Sequence, residues 1–206
     1  MRKVWIIILT ITLVTIIVPV TFLIAVYSGA FGHLQSKEDL LNYKNAAASV
    51  VLSDEGELIG KYFSENRTNI SYRQIPLHLI NALVATEDAR FFDHEGIDSR
   101  SLFRVLFKTV LFKNRNSGGG STITQQLAKN MFGRENFGPL TIFINKTKEV
   151  FLAHRLEKAF TKEEILTLYM NTVSFGENVY GIEAASARYF NKKVELLNIE
   201  ESAVLI

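Results

Sequence analysis

Glu87 is the residue that most invites chemistry, because Leu77, Ile80, Val84, Glu87 and Phe91 recur at spacings of 3, 4, 3 and 4 along one helix face. Desolvation of a carboxylate on such a stripe favours its protonated form and brings it towards proton exchange near neutrality. The same pattern also fits an edge residue that reaches water or pairs with Arg90. Asp88 falls on the next face, where it could orient a neighbour or cap a helix. Further along, Gly118-Gly119-Gly120 run into Ser121-Thr122 and offer free backbone N–H groups at a helix start, a seat for phosphate oxygens. The lysine of a P-loop is missing there. Lys129 instead lies one and two turns beyond Gln125 and Thr122, so hydroxyl, amide and ammonium either converge on one anion or form a solvated face. His94-Glu95 begins like a zinc-protease motif, but Asp98 stands in the second histidine's place and Gly96 interrupts the helix, so no metal site is read here.

These residues need elements to hold them. Residues 4–27 carry 19 apolar side chains of 24 and no charge, with Arg2 and Lys3 just before them. That length spans a bilayer core, and the flanking charges place the amino terminus in the cytoplasm and the remainder outside. A cleaved signal peptide, with Ser28 and Ala30 before the cut, is the alternative, although its apolar region is usually only about 7–15 residues. Residues 28–48 read as a linker, and residues 49–62 alternate around Asp54-Glu55-Gly56 as a β-hairpin. After Pro76 the pattern is helical. Thr122 with Gln125, Thr161 with Glu164 and Asn198 with Glu201 read as capping boxes that start three helices, and Pro139 starts another. The last helix has barely begun at Ile206, which suggests a domain incomplete at its carboxyl end. Residues 101–113 form a helix apolar over most of its girth, with Arg100, Arg104 and Lys108 on one side; it fits either a membrane interface or a core.

The formal charge of +2 belongs to Arg2 and Lys3, because the other 21 basic residues balance 21 acids. This argues against a nucleic-acid partner. Within that neutral remainder, residues 99–134 hold seven basic side chains and no acid. The chain has no cysteine, which excludes disulfides and thiolate zinc sites.

Taken in order, these segments resemble the peptidoglycan glycosyltransferase (transglycosylase) family of penicillin-binding proteins and monofunctional transglycosylases. Glu87-Asp88-Ala89-Arg90-Phe91-Phe92-Asp93-His94-Glu95-Gly96 is similar to the family's Glu-Asp-x-x-Phe-x-x-His-x-Gly motif, and residues 119–130 to its Gly-x-Ser-Thr-x-x-Gln-Gln segment. Lys146-Thr147-Lys148-Glu149 resembles the third motif, Ile165-Leu166 with Tyr169-Met170-Asn171 the fourth, and Gly181-Ile182-Glu183-Ala184-Ala185 with Tyr189-Phe190 the fifth.

The resemblance implies a mainly α fold: a transmembrane helix over 1–27, then a lysozyme-like helical domain over 49–206 with a smaller membrane-facing lobe. It implies lipid II and the lipid-linked growing glycan as substrates at a bacterial cell membrane, with a single-pass anchor, the catalytic domain on the extracytoplasmic face, and cell-wall synthesis proteins as possible partners. Glu87 would be the general base and Glu149 a second catalytic carboxylate that positions the sugar. Asp88, Ser121, Thr122, Gln125, Gln126, Lys129, Lys146 and Lys148 would bind substrate. No cofactor is required, although Mg2+ or Mn2+ at the pyrophosphate is compatible with the pattern.

The chain departs from the family's text in three places. Asn145 stands where the third motif usually opens with arginine, Arg134 is the only nearby candidate for an arginine preceding it, and Asn191 replaces a usual glycine. A glycan-cleaving hydrolase on a lysozyme-like scaffold and an inactive membrane-anchored scaffold are the competing functional classes.

Overall fold

The computed structural model describes residues 2–43, 49–55, 58–62, 68–104 and 119–206. It is mainly helical: α1 (Arg2–Tyr27), α2 (Lys37–Leu41), α3 (Leu77–Glu87), α4 (Ile123–Phe132), α5 (Thr141–Ala159), α6 (Lys162–Thr172), α7 (Ile182–Phe190) and α8 (Ile199–Leu205). Strands β1 (Ser49–Leu52) and β2 (Leu58–Tyr62) pair antiparallel, Ser49 opposite Tyr62, with an irregularity between Val51 and Leu52. The turn expected at Asp54-Glu55-Gly56 lies partly outside the described residues. So does most of the expected 101–113 helix, of which 101–104 belong to a helical stretch over 99–104.

The core forms where α4 packs between α5 and α6, with α3 set against α8. Leu79, Ile80, Leu83, Ile123, Leu127, Leu156, Ile165, Leu166 and Met170 are all buried in it. Each contributes about 2 kcal/mol through removal of apolar surface from water, roughly twice what a helix cap supplies. Caps therefore set where these helices begin, and the core sets that they exist. Thr161 and Asn198 form full capping boxes with Glu164 and Glu201. At α4 only half of the expected box is present: Thr122 Oγ1 accepts from the Gln125 N–H, while the Gln125 side chain is buried instead of turning back. On α3 the buried face is Leu79, Ile80 and Leu83. Leu77 is exposed and Phe91 sits on a separate 3-10 turn, so the apolar stripe read from the sequence is shifted by a residue or two.

Helix α1 is long and apolar enough to cross a membrane. Its last turn is anchored: Tyr27 meets Phe151 of α5 edge-on, and the Arg155 guanidinium lies 5.3 Å from the Tyr27 ring. Arg155 also donates to the carbonyls of Leu34 and Gln35. In the stretch expected as a linker, residues 28–48, the described part carries α2 and places Leu34 and Leu40 in the core.

Candidate active site

Helix α3 ends at Glu87, and its C-terminal side faces the start of α4 across a cavity of about 310 Å³. Among the described residues the lining includes Glu87, Asp88, Arg104, Gly119, Gly120 and Ser121. Glu87 is half-buried and does not pair with Arg90. Its Oε2 accepts a 2.6 Å hydrogen bond from Gln126 Nε2, and Gln126 Oε1 in turn accepts from the Tyr169 hydroxyl at 3.2 Å. Burial, and secondarily the nearby Glu87 charge, push the Tyr169 hydroxyl up to about 12. Tyr169 is therefore a permanent donor at working pH. That fixes the Gln126 amide with its N–H2 towards the carboxylate.

Asp88 next door is spent on architecture. Its carboxylate accepts from His94 Nε2 at 3.0 Å and from the Ile123 N–H at 3.1 Å, at the positive end of α4. His94 Nδ1 accepts from the Gly96 N–H, so the neutral ring carries its proton on Nε2 and donates it to Asp88. The Gly96 carbonyl accepts from Thr122 Oγ1 at 2.7 Å, and Lys162 Nζ donates to the His94 carbonyl at 2.6 Å. Gly96 has φ +85°, and a Cβ there would lie 2.9 Å from the Ala153 backbone, so only glycine fits. Arg90 is held on Asp98 at 2.6 Å. Burial pushes the Asp98 carboxyl up, but the Ser101 N–H and hydroxyl and the Arg90 guanidinium outweigh it and hold the group down at about 2.

The second half of the site comes from α5. Lys146 Nζ donates to Ser121 Oγ at 2.7 Å and lies 2.7 Å from Glu149 Oε2. Arg134 takes the other oxygen of Glu149, donating from Nε at 2.8 Å. The Lys146 contact is an ion pair without hydrogen-bond alignment, since Glu149 Oε2 has no hydrogen-bond donor. Glu149 is buried, whereas Lys146 and Arg134 are nearly half exposed and present positive charge to solvent. Among the described residues, no three His, Asp or Glu side chains gather at one point. A Mg2+ or Mn2+ ion entering beside Glu149 would meet two cations already on that carboxylate.

A family model described as transglycosylase matches residues 55–206. The chain belongs to the transglycosylase family. It is 42% identical over 159 residues to penicillin-binding protein 1F of Bacillus subtilis, covering 77% of this chain and 22% of that protein. It is 43% identical over 155 residues to penicillin-binding protein 1A of Escherichia coli, 75% of this chain and 18% of that protein. With penicillin-binding protein 1A of Aquifex aeolicus the similarity runs over all 206 residues at 38% identity, 27% of that protein. The chain thus spans about a fifth to a quarter of the length of these curated relatives.

Set against the transglycosylase motifs, the expected site residues separate into those the cavity gathers and those it does not. Glu87, Gln126, Ser121, Lys146 and Glu149 are linked by contacts or by the cavity wall. Asp88 and Thr122 also line the cavity, Gln125 and Lys129 do not, and Thr122, Gln125 and Lys129 do not converge on one point. The Thr122 hydroxyl is committed to Gly96, and Gln125 lies on the buried face of α4 with Ile123, Thr124, Leu127 and Ala128. Lys129 shares the outward face with Gln126, one turn on, and is exposed outside the cavity lining. Lys148 is buried on another side of α5, paired with Glu135 at 3.0 Å and 5.2 Å from the Phe137 ring, so it does not replace the missing arginine.

Arg134, the candidate for the arginine that precedes the third motif, is brought onto Glu149. Asn145 supplies the reason for its placement: this buried amide accepts from the Glu135 N–H and donates to the carbonyls of Glu135 and Thr141, pinning the loop that aims Arg134 at Glu149. Asn191 occupies its usual-glycine position at φ +53°, the left-handed cap that asparagine tolerates better than most residues. Tyr169 and His94 were visible only as motif text; nothing in their local spacing pointed to Gln126 or Asp88.

Proposed function

We propose that this domain is a membrane-anchored peptidoglycan glycosyltransferase that polymerises lipid II into β-1,4-linked glycan strands and releases undecaprenyl pyrophosphate. The observation that carries the reading is an oriented carboxylate at Glu87 in the wall of a cavity whose opposite wall, at Ser121, is contacted by Lys146, a member of a cationic pair with Arg134 on Glu149. Glu87 takes the proton from the acceptor sugar's 4-hydroxyl as its oxygen bonds to the donor's anomeric carbon. The bond from that carbon to the pyrophosphate breaks on the opposite face, which inverts the centre. The departing pyrophosphate carries the developing negative charge, and Lys146, Ser121 and the N–H groups of 119–121 stabilise it, a role supported by the contact of Lys146 with Ser121 at the cavity wall. Glu149 keeps Lys146 and Arg134 side by side despite their like charge. A hydrolase would have no use for that cationic half. In this reading α1 spans the membrane once, with Arg2 and Lys3 in the cytoplasm and the catalytic domain outside.

The test is polymerisation of lipid II by the full chain and by Glu87→Gln. Loss of a general base predicts a fall of about 10²- to 10⁴-fold in turnover. Full activity in Glu87→Gln overturns the assignment, and cleavage of soluble glycan by the unmodified protein would favour the hydrolase.

A further inference from the structure

The loop that carries Arg134 to Glu149 is held from two sides. Asn145 holds it from α5, and the stretch between α1 and α2 holds it from another face. Gly29 and Gly32, at φ +84° and +92°, turn that stretch so that Phe31 meets the Phe137 ring edge-on at 6.0 Å. Gly32 lies against the Glu135–Lys148 ion pair: a Cβ there would stand 2.9 Å from Glu135 Oε2 and 3.0 Å from Lys148 Nζ. Leu34 is buried in the core, and Arg155 donates to its carbonyl at 3.0 Å, which pins the far end of the stretch. Between stretch and loop there remains a cavity of about 20 Å³, scarcely more than one water fills, lined among others by His33, Gln35, Gly133, Glu135 and Glu149. Glu135 and Phe137, the loop residues touched, follow closely on Arg134 in the chain.

We propose that residues 31–35 are a positioning strap for Arg134: Phe31 and Gly32 clamp Phe137 and the Glu135–Lys148 pair, and so keep the guanidinium on Glu149. Arg134 occupies Glu149 Oε1 at 2.8 Å, which leaves Lys146 beside Oε2 and on Ser121. A loop free to swing takes Arg134 off the carboxylate, and a buried carboxylate that has lost one of two cations holds the other more tightly, drawing Lys146 away from the cavity wall. Lys148 gains a role in this arrangement, as the buried post to which Glu135 is fastened. Phe31, Gly32, Glu135 and Lys148 act through Arg134 and are positioning residues. The inference rests on the glycosyltransferase reading for what Arg134 does, and on geometry alone for how it is held.

Lipid II turnover by the full chain is to be compared for Phe31→Ala and Gly32→Ala, each alone and each combined with Arg134→Gln. A strap that acts through Arg134 predicts a fall in kcat of about tenfold in each single variant, with KM within about twofold, and less than about twofold further loss once Arg134 is gone. Losses that multiply with that of Arg134→Gln, as a purely structural role would give, overturn the proposal, and so does unchanged kcat in both single variants. Phe31 is partly exposed and its removal strands no charge, so Phe31→Ala keeps the test decisive should the strained Gly32→Ala fail to fold. A second measurement needs no turnover. In nuclear magnetic resonance of the full chain in phospholipid nanodiscs with 15N-labelled arginine, the Arg134 Nε–H, assigned by its absence in Arg134→Gln, should exchange with water about tenfold faster in Phe31→Ala and Gly32→Ala. Unchanged exchange in both overturns the proposal even where kcat falls. Faster exchange in a chain whose unmodified form makes no glycan sinks the glycosyltransferase reading and leaves the strap standing.

Discussion

Gln126 donates to Glu87 at 2.6 Å and accepts from Tyr169 at 3.2 Å, so the orientation of the Glu87 carboxylate depends on an amide that is itself held from behind. Gln126→Ala should lower kcat for lipid II polymerisation by about 10- to 100-fold with little change in KM, as expected for lost orientation. Tyr169→Phe removes only the support and should cost less. Unchanged kcat in Gln126→Ala would show that the contact does not orient the base.

Removing Glu149 leaves Arg134 and Lys146 facing each other. Both are nearly half exposed, so Glu149→Ala should cost only about 1 kcal/mol of stability, well short of a sealed ion pair. A fall of about 2–4 °C in Tm is expected. Activity should fall further than stability does, because Lys146 loses its position beside Ser121. A double-mutant cycle between Arg134 and Glu149 reads the coupling directly.

Asp98 contributes acid-sensitive stability. Its carboxyl is held at about 2 in the folded chain against an ordinary 3.8, so its contribution is complete above pH 3.8 and is lost as pH falls towards 2. The difference amounts to about 2 kcal/mol. Asp98→Asn should therefore be less stable at neutral pH and show a flatter decline between pH 4 and 2, followed by circular dichroism. An unchanged acid limb would contradict this.

Gly96→Ala combines a left-handed backbone with a Cβ 2.9 Å from the Ala153 main chain. The expected loss is on the order of 3 kcal/mol, with the Thr122 and His94 contacts disturbed together. Urea unfolding measures it; a variant as stable as the parent would mean that the 94–96 turn relaxes freely.

The helical character and most helix starts were legible in the sequence because they depend on local signals, as at Thr161 and Asn198. Glu87 stood out for the same reason, as a charge among apolar neighbours. What could not be read was which of Gln125 and Gln126 faces the cavity: both fit a face when counted from Thr122, and only the packing of α4 between α5 and α6 buries the first and frees the second. Lys148 points elsewhere than Lys146 for a similar reason, since it lies two positions further on and a helix turns them about 200° apart. Arg134 reached Glu149 through a loop fixed by Asn145, a long-range arrangement with no periodic signature.

The joint between Tyr27, Phe151 and Arg155 has a mechanical meaning. Arg155 and Lys146 sit on one continuous helix, about 13 Å apart along its axis, so the end of the apolar span and the lysine that contacts Ser121 move as one rod. With α1 in a bilayer, this joint works as a depth gauge: it fixes how far Ser121 and the Glu87 cavity stand from the hydrocarbon boundary.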